Sequence, residues 1–202
     1  MDTIAPKPIL YSIGHSTHTI DTFISLLKRH DINAIADVRS MPYSRFSPQF
    51  SDKALEASLK ENNIAYVFLG KELGVRRSNP DLYSNNKIDY RKISTLSSYR
   101  QGILRMIDGA GRMNVAMMCA EKDPLTCHRT ILIARNAKLL VDDIRHILED
   151  GSIETQSQLE DRLLLECKMN NEELFSTREQ RLEDAYDRRA LEVAYEEPAS
   201  HA

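Results

Sequence analysis

The chain has no tryptophan, and it carries 7 glycines, 7 prolines and 3 cysteines in 202 residues. Thiols this few, odd in number and placed at 119, 127 and 167, make no disulfide framework and read as reduced cysteines of a cytosolic protein. No apolar run approaches the length of a membrane span, so a transmembrane helix and a membrane partner are excluded. The opening stretch, Met1 to Pro8, has two prolines and an acid but neither the basic nor the apolar region of a secretory leader. A cytoplasmic location is therefore expected. Nor does one sign of charge dominate. The 27 Lys and Arg against 30 Asp and Glu leave a net −3, which supplies no global basic field for DNA or an anionic membrane. With 42% hydrophobic and 28% charged residues the composition is that of a globular chain with a packed core. The length suits one domain plus an appendage.

Apolar runs at Ile9–Ile13, Asn33–Val38, Ile64–Leu69, Val115–Cys119 and Ile144–Leu148 predict five strands. Helical spacing predicts helices after Thr19, after Ser51, over Tyr90–Ile107 and over Thr130–Leu140, the last apolar on nearly all sides. Thr155 and Gln158 form a capping box ahead of a further helix with Leu159 and Leu163. Arg39–Phe50 and Lys71–Asp89 read as long polar loops. Strands that alternate with helices and are apolar throughout predict an α/β fold, a central mostly parallel sheet with helices on both faces. The α/β domain is expected over 1–170. Residues 171–202 form a charged amphipathic helical tail, packing on the core or joining two copies as a homodimer.

In such a sheet, ligands gather beyond the carboxyl ends of the strands. The segments leaving the first, second and fourth strands are Gly14-His15-Ser16, Asp37-Val38-Arg39 and Cys119-Ala120-Glu121. These, with the loops, give His15, Asp37, Cys119, Glu121, Cys127 and His128 as candidate catalytic residues. Ser16, Arg39, Ser44, Arg45 and Arg129 are the candidate anion or substrate binders. Cys127-His128-Arg129 stands at the start of a predicted helix, where free N–H groups attract anions and favour a thiolate, and where Arg129 can grip a phosphate or carboxylate. Cys119, last in an apolar strand, also reads as packing. Nine residues separate Cys119 from Arg129 and one separates Cys127 from it, so neither fits the short cysteine-to-arginine loop of phosphatases. His15, His18, Cys119, Cys127 and His128 contain no C-x-x-C or H-x-x-x-H pair, and no metal is assigned. No phosphate-binding glycine loop is present, and the cofactor is left unassigned.

Four separated motifs occur in order: Tyr11-Ser-Ile-Gly-His-Ser16; Asp37-Val-Arg39 with Pro42 and Ser44; Leu69-Gly-Lys-Glu-Leu-Gly74; and Met118-Cys-Ala-Glu-Lys-Asp-Pro-Leu-Thr-Cys-His-Arg129. Over roughly residues 9 to 165 the chain resembles the family known as domain of unknown function 488, and its Arg145-His146-Ile147 before Asp150-Gly151 resembles that family's closing segment. That family has no established reaction, so the resemblance implies a shared site and leaves its chemistry open.

The residues themselves point first to an enzyme, a hydrolase or transferase with a Cys/His/Arg site, acting on an anionic, phosphate-bearing or nucleotide-like compound. The alternatives are a nucleic-acid binding or base-processing protein, drawing on the arginines and on the aromatic 43–50 loop, and a non-catalytic ligand-sensing module.

Overall fold

The computed structural model describes residues 7–170 and 176–196. The chain runs β1 (Ile9–Gly14), α1 (Ile20–Arg29), β2 (Ala34–Asp37), α2 (Asp52–Glu61), β3 (Ala65–Phe68), α3 (Gly70–Leu73), β4 (Tyr83–Ser84), β5 (Lys87–Ile88), α4 (Tyr90–Thr95), α5 (Ser97–Ala110) and β6 (Val115–Cys119). A wide π-helical segment, Arg129–Ala134, then runs into α6 (Arg135–Ala137). The chain closes with β7 (Asp143–Ile147), β8 (Ile153–Thr155), α7 (Gln156–Glu166) and α8 (Arg178–Val193). The fold is α/β, as the alternation of patterns predicts.

Six strands form one sheet in the order β3-β2-β6-β1-β7-β8. All pairings are parallel except β7 with β8. Side chains alternate across it into two apolar layers. Ile13, Ile35, Ala116 and Met118 face α1 and α2, with Phe23, Leu27, Leu55 and Leu59. Leu10, Ala36, Met117 and Cys119 face the other layer, where Ile103, Ile131, Leu159 and Leu182 come from α5, the π segment, α7 and α8. Helices thus cover both faces, and central strands buried on both sides read as continuous apolar runs.

The order positions the site. The connection leaving β1 crosses to β2 on one side, and the connection leaving β6 crosses to β7 on the other. The crevice between β1 and β6 is therefore the point where the connections part, and it opens at the carboxyl ends. Thr19 starts α1 by accepting from Thr22 N, as its place before the periodic apolar residues predicts. Thr155 caps α7 in the predicted box with Gln158.

Several expectations need correction. β3 is an edge strand, with Val67 36% exposed, rather than a strand buried on both faces. The helix predicted through Leu140 stops at Ala137, and Leu139 is 76% exposed. The segment read as a polar loop over 71–89 contains the end of α3 and the hairpin β4–β5, turned by Asn85 and Asn86 at φ 52° and 62°. The helical pattern over 90–107 breaks at Leu96 into α4 and α5.

In the tail, Thr177 and Gln180 form a second capping box, and α8 buries Leu182, Ala185 and Tyr186 against its own chain. Tyr186 Oη accepts from Gln156 Nε2 (2.7 Å) and donates to Glu160 Oε1 (3.0 Å). Phe175 and the segment after Pro198, read from sequence as an apolar position and a frayed end, lie outside the described residues. No helix among the described residues is long and apolar enough to cross a membrane.

Candidate functional site

Backbone pairing continues past the strand ends and draws three segments together. His15 N donates to Cys119 O (2.9 Å), Ser16 N to Ala120 O (3.0 Å) and Val38 N to Met118 O (3.1 Å). Gly14 permits this approach, since a Cβ there would lie 1.9 Å from Glu121 O. The loop after β6 is tied down by Arg129, which is fully buried and donates through Nη1 to Glu121 O (2.6 Å) and through Nη2 to Lys122 O (3.0 Å).

Above these ends opens a cavity of ≈ 550 Å³. Of the residues anticipated from the sequence, His15, Arg39, Ser44, Arg45, Cys119, Glu121 and His128 line it, and Asp37, Ser16, Cys127 and Arg129 do not. Arg129 spends its guanidinium on loop carbonyls and does not face the cavity. Ser16 adopts φ 46°, and its carbonyl meets His15 Nδ1 at 2.9 Å. Ser44 Oγ accepts from Ser47 N at 2.9 Å, bracing the aromatic loop.

Asp37 works through Arg39. Its buried carboxylate receives Arg39 Nε at 2.9 Å, Nη2 at 2.6 Å, Arg39 N at 3.1 Å and Tyr66 Oη at 2.9 Å. Burial opposes the Arg39 charge, but the Asp37 hydrogen bonds outweigh it and raise its pKa. The remaining Arg39 Nη1 lies 3.3 Å from His15 Nε2. His15 must then donate from Nδ1 to Ser16 O and accept at Nε2, a neutral imidazole. Burial, aided by the Arg39 charge, lowers its pKa to about 4. The ring stacks on Phe50, with centroids 4.4 Å apart.

The second half of the site is thiol-rich. Cys119 Sγ and Cys127 Sγ lie 3.6 Å and 3.8 Å from His128 Nδ1, and Cys127 Sγ lies 3.1 Å from Glu121 Oε2. His128 Nε2 is 3.0 Å from Val38 O, so Nε2 carries the proton that donates there. Burial pushes the Cys119 thiol well above the usual range and also raises Glu121. Burial opposes the Cys127 thiolate too, but the Cys119 hydrogen bond and the Arg129 charge outweigh it and bring its pKa well down. His128 rises despite burial, through Cys127.

A family model described as Domain of unknown function DUF488 matches residues 19–135, more than half of the chain. The chain belongs to the DUF488 family. The match takes in Asp37 to Arg39, Leu69 to Gly74 and the 118–129 motif, and leaves the Tyr11–Ser16 motif before it and Arg145–Gly151 after it. No curated protein and no solved structure matches the chain.

This DUF488 cavity also holds residues that sequence reasoning did not place in a site. Tyr90 comes from the start of α4, Val193 from the end of α8 and Tyr195 from just beyond it, and they stand beside Arg76, one of the loop arginines on which the nucleic-acid alternative draws. Ile88 N donates to Tyr195 O at 2.9 Å, which lays the segment after α8 along the β4–β5 hairpin. The Arg76 guanidinium sits 4.8 Å from the Tyr195 ring centre. No local signal joins Arg76 to Tyr195, which meet where the segment after α8 runs along the hairpin.

Proposed function

We propose that this DUF488 protein is an enzyme acting on an anionic, phosphate-bearing or nucleotide-like small molecule bound at the carboxyl edge of the sheet. One observation carries the reading. Arg45 and Arg76 line the cavity with ring contacts but no carboxylate partner among the described residues, while Glu121 is the acid among its lining residues. Such a cavity holds an excess of positive charge for an anion to satisfy. Arg39 stands at its floor, already oriented by Asp37. Tyr43 and Phe46, 70% and 89% exposed, offer ring faces to a flat ligand.

The raised Glu121 carboxyl suits proton transfer in a hydrolysis or group transfer. His15, with both ring nitrogens engaged, positions Arg39. A simple cysteine nucleophile has less support, because Cys119 is the thiol that lines the cavity yet holds its proton. Cys127, the thiol driven toward thiolate, sits behind it. The three free thiols support a reducing, cytoplasmic setting.

The reading is tested by titrating the full chain with nucleoside mono-, di- and triphosphates and sugar phosphates by calorimetry, with phosphorus NMR to detect turnover. Binding is expected to weaken at least about tenfold, near the worth of one charge-assisted contact, in Arg45→Ala and in Arg76→Ala. It is also expected to weaken with salt. If no phosphate ester binds at millimolar concentration, the reading fails. If short oligonucleotides bind far more tightly than any mononucleotide, the partner is nucleic acid instead.

A further inference from the structure

We propose that Cys119 Sγ, Cys127 Sγ and His128 Nδ1 bind one zinc ion, with its fourth coordination position open to the cavity beside Glu121.

The three donor atoms lie within 4.8 Å of one another, and all three residues are buried. The two sulfur–nitrogen spacings are those of ligands around a shared tetrahedral centre. Zn–S near 2.3 Å and Zn–N near 2.05 Å at tetrahedral angles put sulfur about 3.6 Å from nitrogen. The sulfurs stand 3.6 Å and 3.8 Å from His128 Nδ1. The imidazole is also presented as a ligand. Its Nε2–H is taken by Val38 O at 3.0 Å, which fixes the tautomer and turns the Nδ1 lone pair toward both sulfurs.

The surroundings are those of a metal thiolate. Arg129 N points at Cys127 Sγ from 3.4 Å, a backbone donor suited to a thiolate. The Glu121 carboxylate lies 3.1 Å from the same sulfur. As thiolates the two sulfurs would repel each other and an ionised Glu121 in this buried space, and a dication held between them removes that cost. Thiolate and imidazole donors in a compact cage select zinc over magnesium or calcium.

The loop geometry explains why the sequence hides the site. Cys119 ends β6, while Cys127 and His128 precede the π segment, eight and nine positions on, so no short cysteine pair marks it. The Gly14 approach and the Arg129 carbonyl clamp bring the two ends together. Because Cys119, Glu121 and His128 line the cavity, the uncovered side of the ion faces the proposed substrate. Three protein ligands with an open fourth position is the pattern of catalytic zinc.

The test uses the full chain, reduced and stripped of metal, with the ions alone as probes. Zn²⁺ is titrated against a chromophoric chelator, and Co²⁺ is added as a spectroscopic stand-in. One equivalent is expected to bind. The cobalt form should show sulfur-to-metal charge transfer and the intense visible bands of a four-coordinate ion. Zn²⁺ should protect Cys119 and Cys127, but not Cys167, from alkylation under partial denaturation, a readout that needs no variant. Cys119→Ser, Cys127→Ser and His128→Asn should each weaken the affinity by about a hundredfold or more, while Cys167→Ser should leave it unchanged. The proposal is overturned if the wild-type chain takes up no stoichiometric zinc. Weakly coloured six-coordinate cobalt without charge transfer overturns it equally, as does uptake that survives loss of both Cys119 and Cys127. Metal uptake is read without any phosphate ester, so its failure and that of the proposed substrate class are separate results.

Discussion

Asp37 and Arg39, two residues apart at the end of β2, form a closed buried ion pair in which Arg39 Nη2 lies 2.6 Å from Asp37 Oδ2 and the side chains are 0% and 6% exposed. Replacing Asp37 with Asn leaves a guanidinium charge buried without its partner, a change that costs about 3–5 kcal/mol. Urea unfolding should show the loss as a lower midpoint at an unchanged slope. Adding Arg39→Met to Asp37→Asn should recover part of it, because neither charge is then stranded. A single-variant loss below about 1 kcal/mol, the worth of an exposed pair, would show that water reaches the carboxylate.

The Gly14 contact makes a sharper contrast. An alanine Cβ there falls 1.9 Å from Glu121 O, a backbone atom held by Arg129, so the loop carrying Glu121 must shift. Gly14→Ala should weaken ligand and metal binding and lower stability by about 1–3 kcal/mol, the range of forced overpacking. Gly109→Ala is the control. Its nearest neighbour would be 3.7 Å away, and it lies inside α5, so it should gain about 0.5–1 kcal/mol. Equal thermal midpoints for the two variants would remove Gly14 from the account of the site.

His146 sets an acid limit on the fold. It is fully buried between Ser12 Oγ (2.7 Å) and Gln156 Oε1 (3.0 Å), and burial, with the charges of Arg129 and Arg162, lowers its pKa from 6.5 to about 3. Above pH 6.5 the ring is neutral whether the chain is folded or not, and the group has no effect on stability. Between pH 6.5 and 3 the unfolded chain takes up a proton that the folded chain refuses, so stability falls by about 1.4 kcal/mol per pH unit. His15, lowered to about 4, acts in the same direction over a narrower window. His146→Gln should flatten the stability–pH profile between pH 4 and 6 relative to wild type. Parallel profiles would show that the ring is protonated in the fold.

These groups also show which features the sequence displays. β6 reads correctly because five consecutive buried residues can mean little else beside helical neighbours. Both capping boxes depend on side chains within three residues of each other, and the one at Thr155 was legible for that reason. β8 escapes because its three residues are too short for a period and its partner β7 supplies the pairing. β3 misleads because an edge strand can carry the same residues as a central one. At the site, the strand-end rule finds His15, Cys119 and Glu121, since strand ends are local. It cannot tell an arginine that faces a ligand from one that clamps carbonyls, and Arg129 is of the second kind. Nor can it find Tyr195, which reaches the cavity through the hairpin.

Whether α8 belongs to the fold or serves assembly is decided by what it covers. Its apolar stripe, Leu182, Ala185 and Tyr186, is spent on its own core. Arg135 bonds both Glu183 and Asp187 from the π segment's continuation, so polar contacts follow the same face. Burying Leu182 and Tyr186 contributes about 1.5–3 kcal/mol each, and the usual total stability of a domain is only about 5–15 kcal/mol. The chain cut after residue 170 should therefore lose most of its stability, melting far below wild type or aggregating through the face it uncovers. Tyr186→Phe removes an acceptor for Gln156 and a donor to Glu160, and should cost about 1–3 kcal/mol with α8 still docked. Circular dichroism melts with size-exclusion chromatography separate the cases. If the truncated chain melts within a few degrees of wild type and differs only in oligomeric state, α8 is an assembly element and not part of the core.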